Sequence, residues 1–484
     1  MTVTPAPGRD RANTHPNIIL AIILVSYVMI VLDISVVLTG LPKIQAELGF
    51  SPTNLAWVQS AYTLTFGGFL LLGARAGDIL GRRRMFIVGL AIFTVASVAI
   101  AASPSPEWML AWRAIQGLGS AILAPSTLAL LQTYFPEGPA RTRAVSYYSA
   151  AAGVAATAGL VVGGLLAGSM SWRAGFYINL PIGVGLILAA RHYIAETPRQ
   201  PGALDVTGAI LSTFGISGLV YSFIRSAETG WADLMTLGVL AGAVILLGLF
   251  ILNERRAAHP ILPLRLFADR VRSGAYAARI LYLAAMVGFF FFTTLFLQDV
   301  RGYGPARAGL AFLPATLLHV PFAIAFPRLA RHVSPNRLLI AGLVTGVVAL
   351  AWLSRATPQS GYLVSIALPM LLIGVSQGLT LSPLTSAGVS GVSETDVGAA
   401  SGAVNVAHQI GSSVGLSVLV AIAAVGSQGL SGAAETAHHF TLAFEAGTAL
   451  VVIALVIALT AIVRPKTQES EAGPRAADCA PEIA

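Results

Sequence analysis

The sequence predicts an all-α integral membrane protein with fourteen transmembrane helices, and three observations predict it. Only 10% of the 484 residues are charged and 56% are hydrophobic, against roughly 25% charged in a soluble domain. Mean hydropathy is +0.78. Apolar runs of about 20 residues, enough to cross roughly 30 Å of hydrocarbon as helix, recur along almost the whole chain. Short connections rich in Pro, Gly and Arg separate them, and no soluble domain fits between them.

Taken in order, residues 1–17 are polar, and the run after them has no small-residue cleavage site, so 18–40 reads as a retained first span. Spans 54–73 and 85–102 flank the stretch GARAGDILGRRRM, Gly73 to Met85. Span 107–134 follows Pro104 and Pro106, span 143–168 follows Arg141 and Arg143, and span 173–193 follows Trp172. Spans 204–224 and 234–252 form a short pair between Arg199 and Arg255. The chain then continues with 273–298, 307–328, 336–356, 361–383, 398–426 and 438–463, each bounded by Pro, Gly or charge. The organisation expected is a tail (1–17), a six-helix half (18–200), an inserted pair (201–256), a second six-helix half (257–463) and a tail (464–484).

An even number of spans puts both ends of the chain on one side. With that side cytoplasmic, the inner segments hold 21 Lys and Arg residues and the outer segments 6, which fixes the expected orientation by the positive-inside rule. The net charge of +8 is therefore topological: the arginines sit in short connections and make no basic, aromatic-interleaved patch for nucleic acid. The single cysteine, Cys479, lies in the polar tail, so no internal disulfide or cysteine metal site is available. Neither lysine, Lys43 or Lys466, belongs to a phosphate-binding loop, and no metalloprotease-type histidine motif is present, so the chain reads as no enzyme and as needing no metal.

A shift of 253 residues lays ARAGDILGRRRMFIVG (Ala74 to Gly89) over PRLARHVSPNRLLIAG (Pro327 to Gly342), matching Arg75 with Arg328, Arg84 with Arg337 and Gly89 with Gly342. Two related six-helix halves are the usual build of a secondary transporter. With this repeat in place the chain resembles the major facilitator superfamily, specifically its fourteen-span drug:proton antiporters. Gly73, Gly77, Asp78, Gly81, Arg82, Arg83 and Arg84 look like that family's motif between helices 2 and 3. LDISVVLTGLP (Leu32 to Pro42) is similar to its helix 1 signature, and RAIQGLGSA (Arg113 to Ala121) to its helix 4 motif. WRAGFYINLPIG (Trp172 to Gly183), LDVTG (Leu204 to Gly208) and NVAHQIGSSVG (Asn405 to Gly415) resemble segments of helices 6, 7 and 13. Three positions depart from the pattern: Leu160 stands where the helix 5 antiporter motif has proline, Leu38 where asparagine is frequent, and His408 where arginine is frequent.

The resemblance implies export of hydrophobic or cationic drugs or antibiotics across the cytoplasmic membrane, by alternating access between the halves. The proton gradient would be the energy source and no cofactor is implied; one chain, embedded in the lipid bilayer, is read as a monomer. A transporter of a polar metabolite, or a non-transporting membrane sensor, is the alternative. Within the spans the ionisable residues picked out are Asp33, Arg113, Arg279, His319 and His408; a charge in hydrocarbon costs about 2.5–3.5 kcal/mol on the insertion scale. At 1.5 Å rise per residue, Asp33 and Arg113 both lie roughly 8 Å from the outer edge, so they are expected to pair. That pair either alternates Asp33 between arginine and a proton or permanently fixes helix 1 to helix 4. Arg279, roughly 9 Å from the inner edge by the same rise, is expected to snorkel to the surface. His319 and His408 are candidates for a second proton site, with hydrogen-bonded interface histidines as the alternative. Gln116, Gln377, Asn405 and Gln409 are candidate cavity groups. Gly117, Gly159, Gly163 and Gly164 read as close helix contacts, and Asp78 with its glycines as a latch near a helix N-terminus.

Overall fold

The computed structural model describes residues 15–135, 139–197, 205–257, 260, 262–392, 397–425 and 429–463. Among these the secondary structure is all helical: α1 (Pro16–Leu48), α2 (Trp57–Leu80), α3 (Arg82–Ala101), α4 (Pro106–Tyr134), α5 (Pro139–Ser169) and α6 (Ala174–Tyr193) come first. Next are α7 (Val206–Thr229), α8 (Leu234–Arg256) and α9 (Arg270–Val300), then α10, in two pieces, Pro305–Leu310 and Leu313–Leu329. The last four are α11 (Pro335–Leu353), α12 (Leu363–Gly388), α13 (Val397–Ala423) and α14 (Gly432–Ile462). Among the described residues twelve helices are long and apolar enough to cross a membrane. Two more, α2 and α5, stand where the second and fifth spans are expected, and each includes side chains outside the described set.

Helix starts follow local chemistry. Pro16, Pro106 and Pro335 occupy first turns, where the missing N–H costs nothing. Ser105, Asp205, Asp233 and Asp269 cap α4, α7, α8 and α9 by accepting a backbone N–H three residues on. The sequence places a charged connection at 74–84, but α2 continues to Leu80 and α3 begins at Arg82. Gly81 alone links them, at φ 104°, a conformation glycine adopts without strain. Charged residues propagate a helix as well as apolar ones, so Arg75 and Asp78 belong to the last two turns of α2.

Within the first six helices α1 packs on α5, and α2 and α3 pack on α4; within the last six α9 packs on α13 and α14, and α12 on α10 and α11. Two seams join the sets. At one, α5 meets α10 backbone to backbone: a Cβ on Gly164 would lie 2.4 Å from the Pro305 carbonyl oxygen, and one on Gly309 2.3 Å from that of Leu160. At the other, α2 meets α13, with Gln409 Cβ 2.4 Å from where a Gly67 Cβ would stand. Here α7 packs against both helices and α8 lies outside it, with Leu234 85% and Ile245 62% exposed. Glu228 of α7 accepts hydrogen bonds from Ser51 Oγ (2.6 Å) and Asn54 Nδ2 (2.9 Å) in the α1–α2 connection. Thr213 of α7 fills the space a Gly68 side chain would need. The insert is thus hydrogen-bonded to the first six helices.

Candidate functional site

Asp33 projects from the middle of α1 and is 1% exposed. Arg113 of α4 is 0% exposed, and its Nη1 donates to Asp33 Oδ2 at 2.7 Å. One turn on, Gln116 Nε2 donates to Asp33 Oδ1 at 2.9 Å, while its Oε1 accepts from Arg113 Nη1 at 2.6 Å. The i, i+3 spacing puts both α4 side chains on one face. The guanidinium is further held by Nε donating to the Val58 carbonyl of α2 (2.9 Å) and by the Tyr62 ring, 4.5 Å from Cζ. Such a cation–π contact is strongest when desolvated.

Two residues not singled out in the sequence complete the centre. Asn179 Nδ2 donates to Asp33 Oδ1 at 3.1 Å and to Ser97 Oγ of α3 at 3.2 Å; Gln116 Nε2 also reaches Ser97 Oγ at 2.8 Å. Asn179 is brought in because α6 breaks at Ile178 into Ala174–Tyr177 and Asn179–Tyr193. The carboxylate is an acceptor in every contact, three donors converging on two oxygens. Close packing makes this geometry possible: a Cβ on Gly117 would stand 2.1 Å from Thr65 Oγ1 and 2.3 Å from the Tyr62 carbonyl oxygen. Gly159 and Gly163 bring α5 equally close to Leu32, Ser35 and Val36 of α1. At Leu160, the position of the family proline, α5 continues unbroken from Pro139 to Ser169.

A second polar centre lies in the last six helices. Arg279 does not reach past the helix end as expected; it is 7% exposed, with Nη1 donating to Thr385 Oγ1 at 2.8 Å and Nη2 lying 3.3 Å from His408 Nδ1. A guanidinium is a donor only, so Nδ1 is the acceptor and that nitrogen carries no proton in this pairing. His319 stands apart on α10, where its backbone abuts Gly374 and Gly378 of α12. Gln377 Nε2 contacts Met286 Sδ at 3.6 Å, Gln409 sits in the α2–α13 seam, and Asn405 is exposed. The four candidate cavity groups therefore do not converge on one point, and only Gln116 joins Asp33.

At the α2–α3 junction the capping anion is Glu196, which follows α6. Its oxygens accept the N–H groups of Arg83 and Arg84, both at 3.1 Å, and a Gly81 Cβ would collide with it at 2.6 Å. Arg82 reaches the Ala129 carbonyl and Thr133 Oγ1 of α4, and Gly73 lets α2 touch Ala121. The described contacts of this motif stay within the first six helices; the Asp78 side chain lies outside the described residues. A cavity of about 530 Å³ opens elsewhere, between α1, α9, α13 and α14, lined by Gln45, Phe291, Asp299, Glu435 and His439. Asp33 and Arg113 do not line it, so the ion pair is sealed from that space. One intramembrane acid also escaped the sequence reading: Glu445 stands in the middle of α14.

Two helical sets in contact along paired seams, with a buried ion pair at the heart of one, define a membrane transporter of the two-half type. A family model described as the Major Facilitator Superfamily matches residues 23–416, and the chain belongs to that superfamily; it is a multi-pass membrane transporter and not an enzyme. It is 38% identical over 455 residues to the cephamycin export protein CmcT of Amycolatopsis lactamdurans, covering 93% of each chain. It is 36% identical to the puromycin resistance protein pur8 of Streptomyces alboniger, covering 91% of this chain and 90% of that one. The tetracenomycin C resistance and export protein of Streptomyces glaucescens is 32% identical, over 86% of this chain and 77% of its own. In fold the chain is similar to a peptide transporter POT solved with sulfate (TM-score 0.67, 15% identity, covering 93% and 96%). It is also similar to a bacterial homologue of the lysosomal transporter Spinster in an inward-facing conformation (TM-score 0.66, 16% identity, covering 94% and 98%).

Proposed function

We propose that this protein exports hydrophobic or cationic toxic compounds, antibiotics among them, across the cytoplasmic membrane in exchange for protons. The first and last six helices rock about the α2–α13 and α5–α10 seams, and both ends of the chain lie in the cytoplasm. The observation that carries the reading is the Asp33–Arg113 pair, wholly buried at 2.7 Å. Arginine stays charged at any working pH, so protonating Asp33 ends the ion pair and frees Arg113 to move. The released guanidinium keeps the Val58 carbonyl, the Gln116 amide oxygen and the Tyr62 face as partners. Asp33 can then carry its proton across while Arg113 waits, and re-forming the pair ejects it. Export or resistance in the printed names of the cephamycin, puromycin and tetracenomycin C relatives supports the substrate class.

The test is the lumenal pH of inverted vesicles holding the purified protein, on addition of lipophilic cations and neutral antibiotics. Release of protons in the parent and none in Asp33→Asn is the expected result. Substrate movement without proton flux in the parent would leave a uniporter, or coupling to another ion, as the function of a helix 5 that lacks its proline.

A further inference from the structure

The cavity of about 530 Å³ has no part in the Asp33–Arg113 centre, and its walls differ in kind from that centre. It is built from the ends of α1, α9 and α13, the start of α14 and the α1–α2 connection. Helices that alternate in direction bring odd-numbered ends and even-numbered starts to the side opposite Pro16, and the cavity opens there. Two carboxylates stand near its mouth: Asp299, one residue from the end of α9, and Glu435, three residues into α14. The Asp299 side chain is exposed and makes no hydrogen bond or ion pair among the described residues. Glu435 Oε1 lies 3.9 Å from His439 Nε2, which has no hydrogen-bond partner of its own among them. Further in, Phe291, Phe292 and Leu295 of α9 make an apolar wall. By helix rise the two rings lie roughly 12 and 10 Å along α9 from Asp299. A third carboxylate, Glu228, stands behind Thr53 of the wall and accepts its hydroxyl. No lysine or arginine is among the lining residues.

Carboxylates at the mouth, aromatic rings inside and space for a small molecule are the recognition chemistry of an amphiphilic cation. Acidic groups with no basic neighbour turn an anion away by repulsion. A bare metal ion fits no better, since among the described residues no three His, Cys, Asp or Glu side chains gather as its ligands would. An aromatic face attracts a cation once water is displaced, and it packs against the hydrocarbon arms of the ligand as well. The site is separate from the ion pair: the α1 lining begins at Pro42, nine residues or roughly 14 Å along the helix from Asp33. Between them on α1, the Thr39 carbonyl accepts Gln298 Nε2 of α9 at 3.0 Å and ties the two helices together. We propose that this cavity is an outer binding site for amphiphilic organic cations, with Asp299 and Glu435 facing the charge and Phe291 and Phe292 the apolar body. Its service as an exit station, where an exported compound is held before release, rests on the export reading above.

The experiment is protection of a thiol placed in the cavity wall, in a Cys479→Ser background that leaves no other cysteine. Ala433→Cys, on the exposed first turn of α14, is labelled with a membrane-impermeant sulfonated maleimide in right-side-out vesicles, and the chain is then isolated. Tetraphenylphosphonium should protect the thiol, and tetraphenylborate, of the same shape and opposite charge, should not. Asp299→Asn and Glu435→Gln should each raise the half-protecting concentration about tenfold, the scale of one charge pair near a protein surface. Glu435→Asp, which keeps the charge, should stay near the parent value. Should one amide variant fail to accumulate, the other, on a different helix, carries the same expectation. Equal protection by the two ions, or protection indifferent to both amide variants, would overturn the cation site. Labelling from inverted vesicles alone would put the cavity on the other face and overturn it as an outer site. The proton-exchange reading falls separately: proton release without protection would sink the site and leave the exchange standing, and protection without proton release does the reverse.

Discussion

Asp33→Asn strips one charge from a pair that water does not reach. Arg113, 0% exposed, would keep its cation against an amide instead of a carboxylate. Breaking one partner of a buried ion pair costs about 3–5 kcal/mol. Three contacts survive here, to the Val58 carbonyl, the Gln116 amide oxygen and the Tyr62 ring, and the asparagine oxygen can still accept. The loss should therefore fall near about 3 kcal/mol, roughly a hundredfold in the folding equilibrium. Adding Arg113→Met to Asp33→Asn removes the stranded cation and should recover most of that stability while leaving proton coupling dead. The assay is a double-mutant cycle on unfolding in detergent, with an interaction term of about 2 kcal/mol or more expected for groups in contact. If Asp33→Asn is as stable as the parent and the two changes simply add, the pair is solvated, and the reasoning from burial fails.

Gly117→Ala should cost about 1–3 kcal/mol by overpacking, because its Cβ meets the Tyr62 backbone oxygen at 2.3 Å; Gly185→Ala, with nothing within 4 Å, should gain helix propensity and raise the melting temperature. Leu160→Pro should destabilise by about 3 kcal/mol, since α5 is unbroken there and would lose a ladder bond; a thermal melt matching the parent would show that α5 already tolerates a kink. Glu196→Ala should cost about 0.5–2 kcal/mol by uncapping α3, with Glu196→Gln intermediate, measured as faster amide exchange at Arg83 and Arg84. Asp233, between α7 and α8, is lowered from 3.8 to about 2 by Arg225 and then by the Thr236 N–H. Because its folded pKa is depressed, that contact is complete above about pH 4 and fades as pH falls through about 2; NMR titration of its carboxyl carbon in parent and Arg225→Gln checks the sign.

Asp33 and Arg113 were legible because charge in an apolar run is conspicuous and rise per residue converts position into depth. Asn179 and Ser97 were not, since neutral polar residues in a span carry no comparable signal, and what recruits Asn179 is a helix break at Ile178 whose cue, Pro181 in the first turn of the second piece, was not read as one. The same charge rule that found Asp33 reaches Glu445, between FTLAF and AGTAL. Depth alone misjudged Arg279: a residue near a helix end snorkels only if no acceptor is nearer, and His408 and Thr385 come from helices more than a hundred residues away in the chain. The connection at 74–84 was misread because polarity was taken for a turn, whereas the turn needs only the positive φ of Gly81. The long apolar runs themselves were the clearest part, but their ends were not: α1 runs on to Leu48 and α2 to Leu80, beyond the expected 40 and 73.

The wedge of α7 has a consequence for leakage. A transporter that opens to one side and then the other must never let a file of water or a stray acyl chain slip between its moving parts. The α5–α10 contact, with glycines set directly on carbonyl groups, is sealed only while it is shut. Along α2–α13, however, α7 is roped by Glu228 to the α1–α2 connection and lies across the joint. If the halves rock as proposed, α7 would act there as a gasket, a helix that still covers the joint on its lipid side as it widens. The two extra helices would then set how far the transporter can open on one flank without making the membrane leaky.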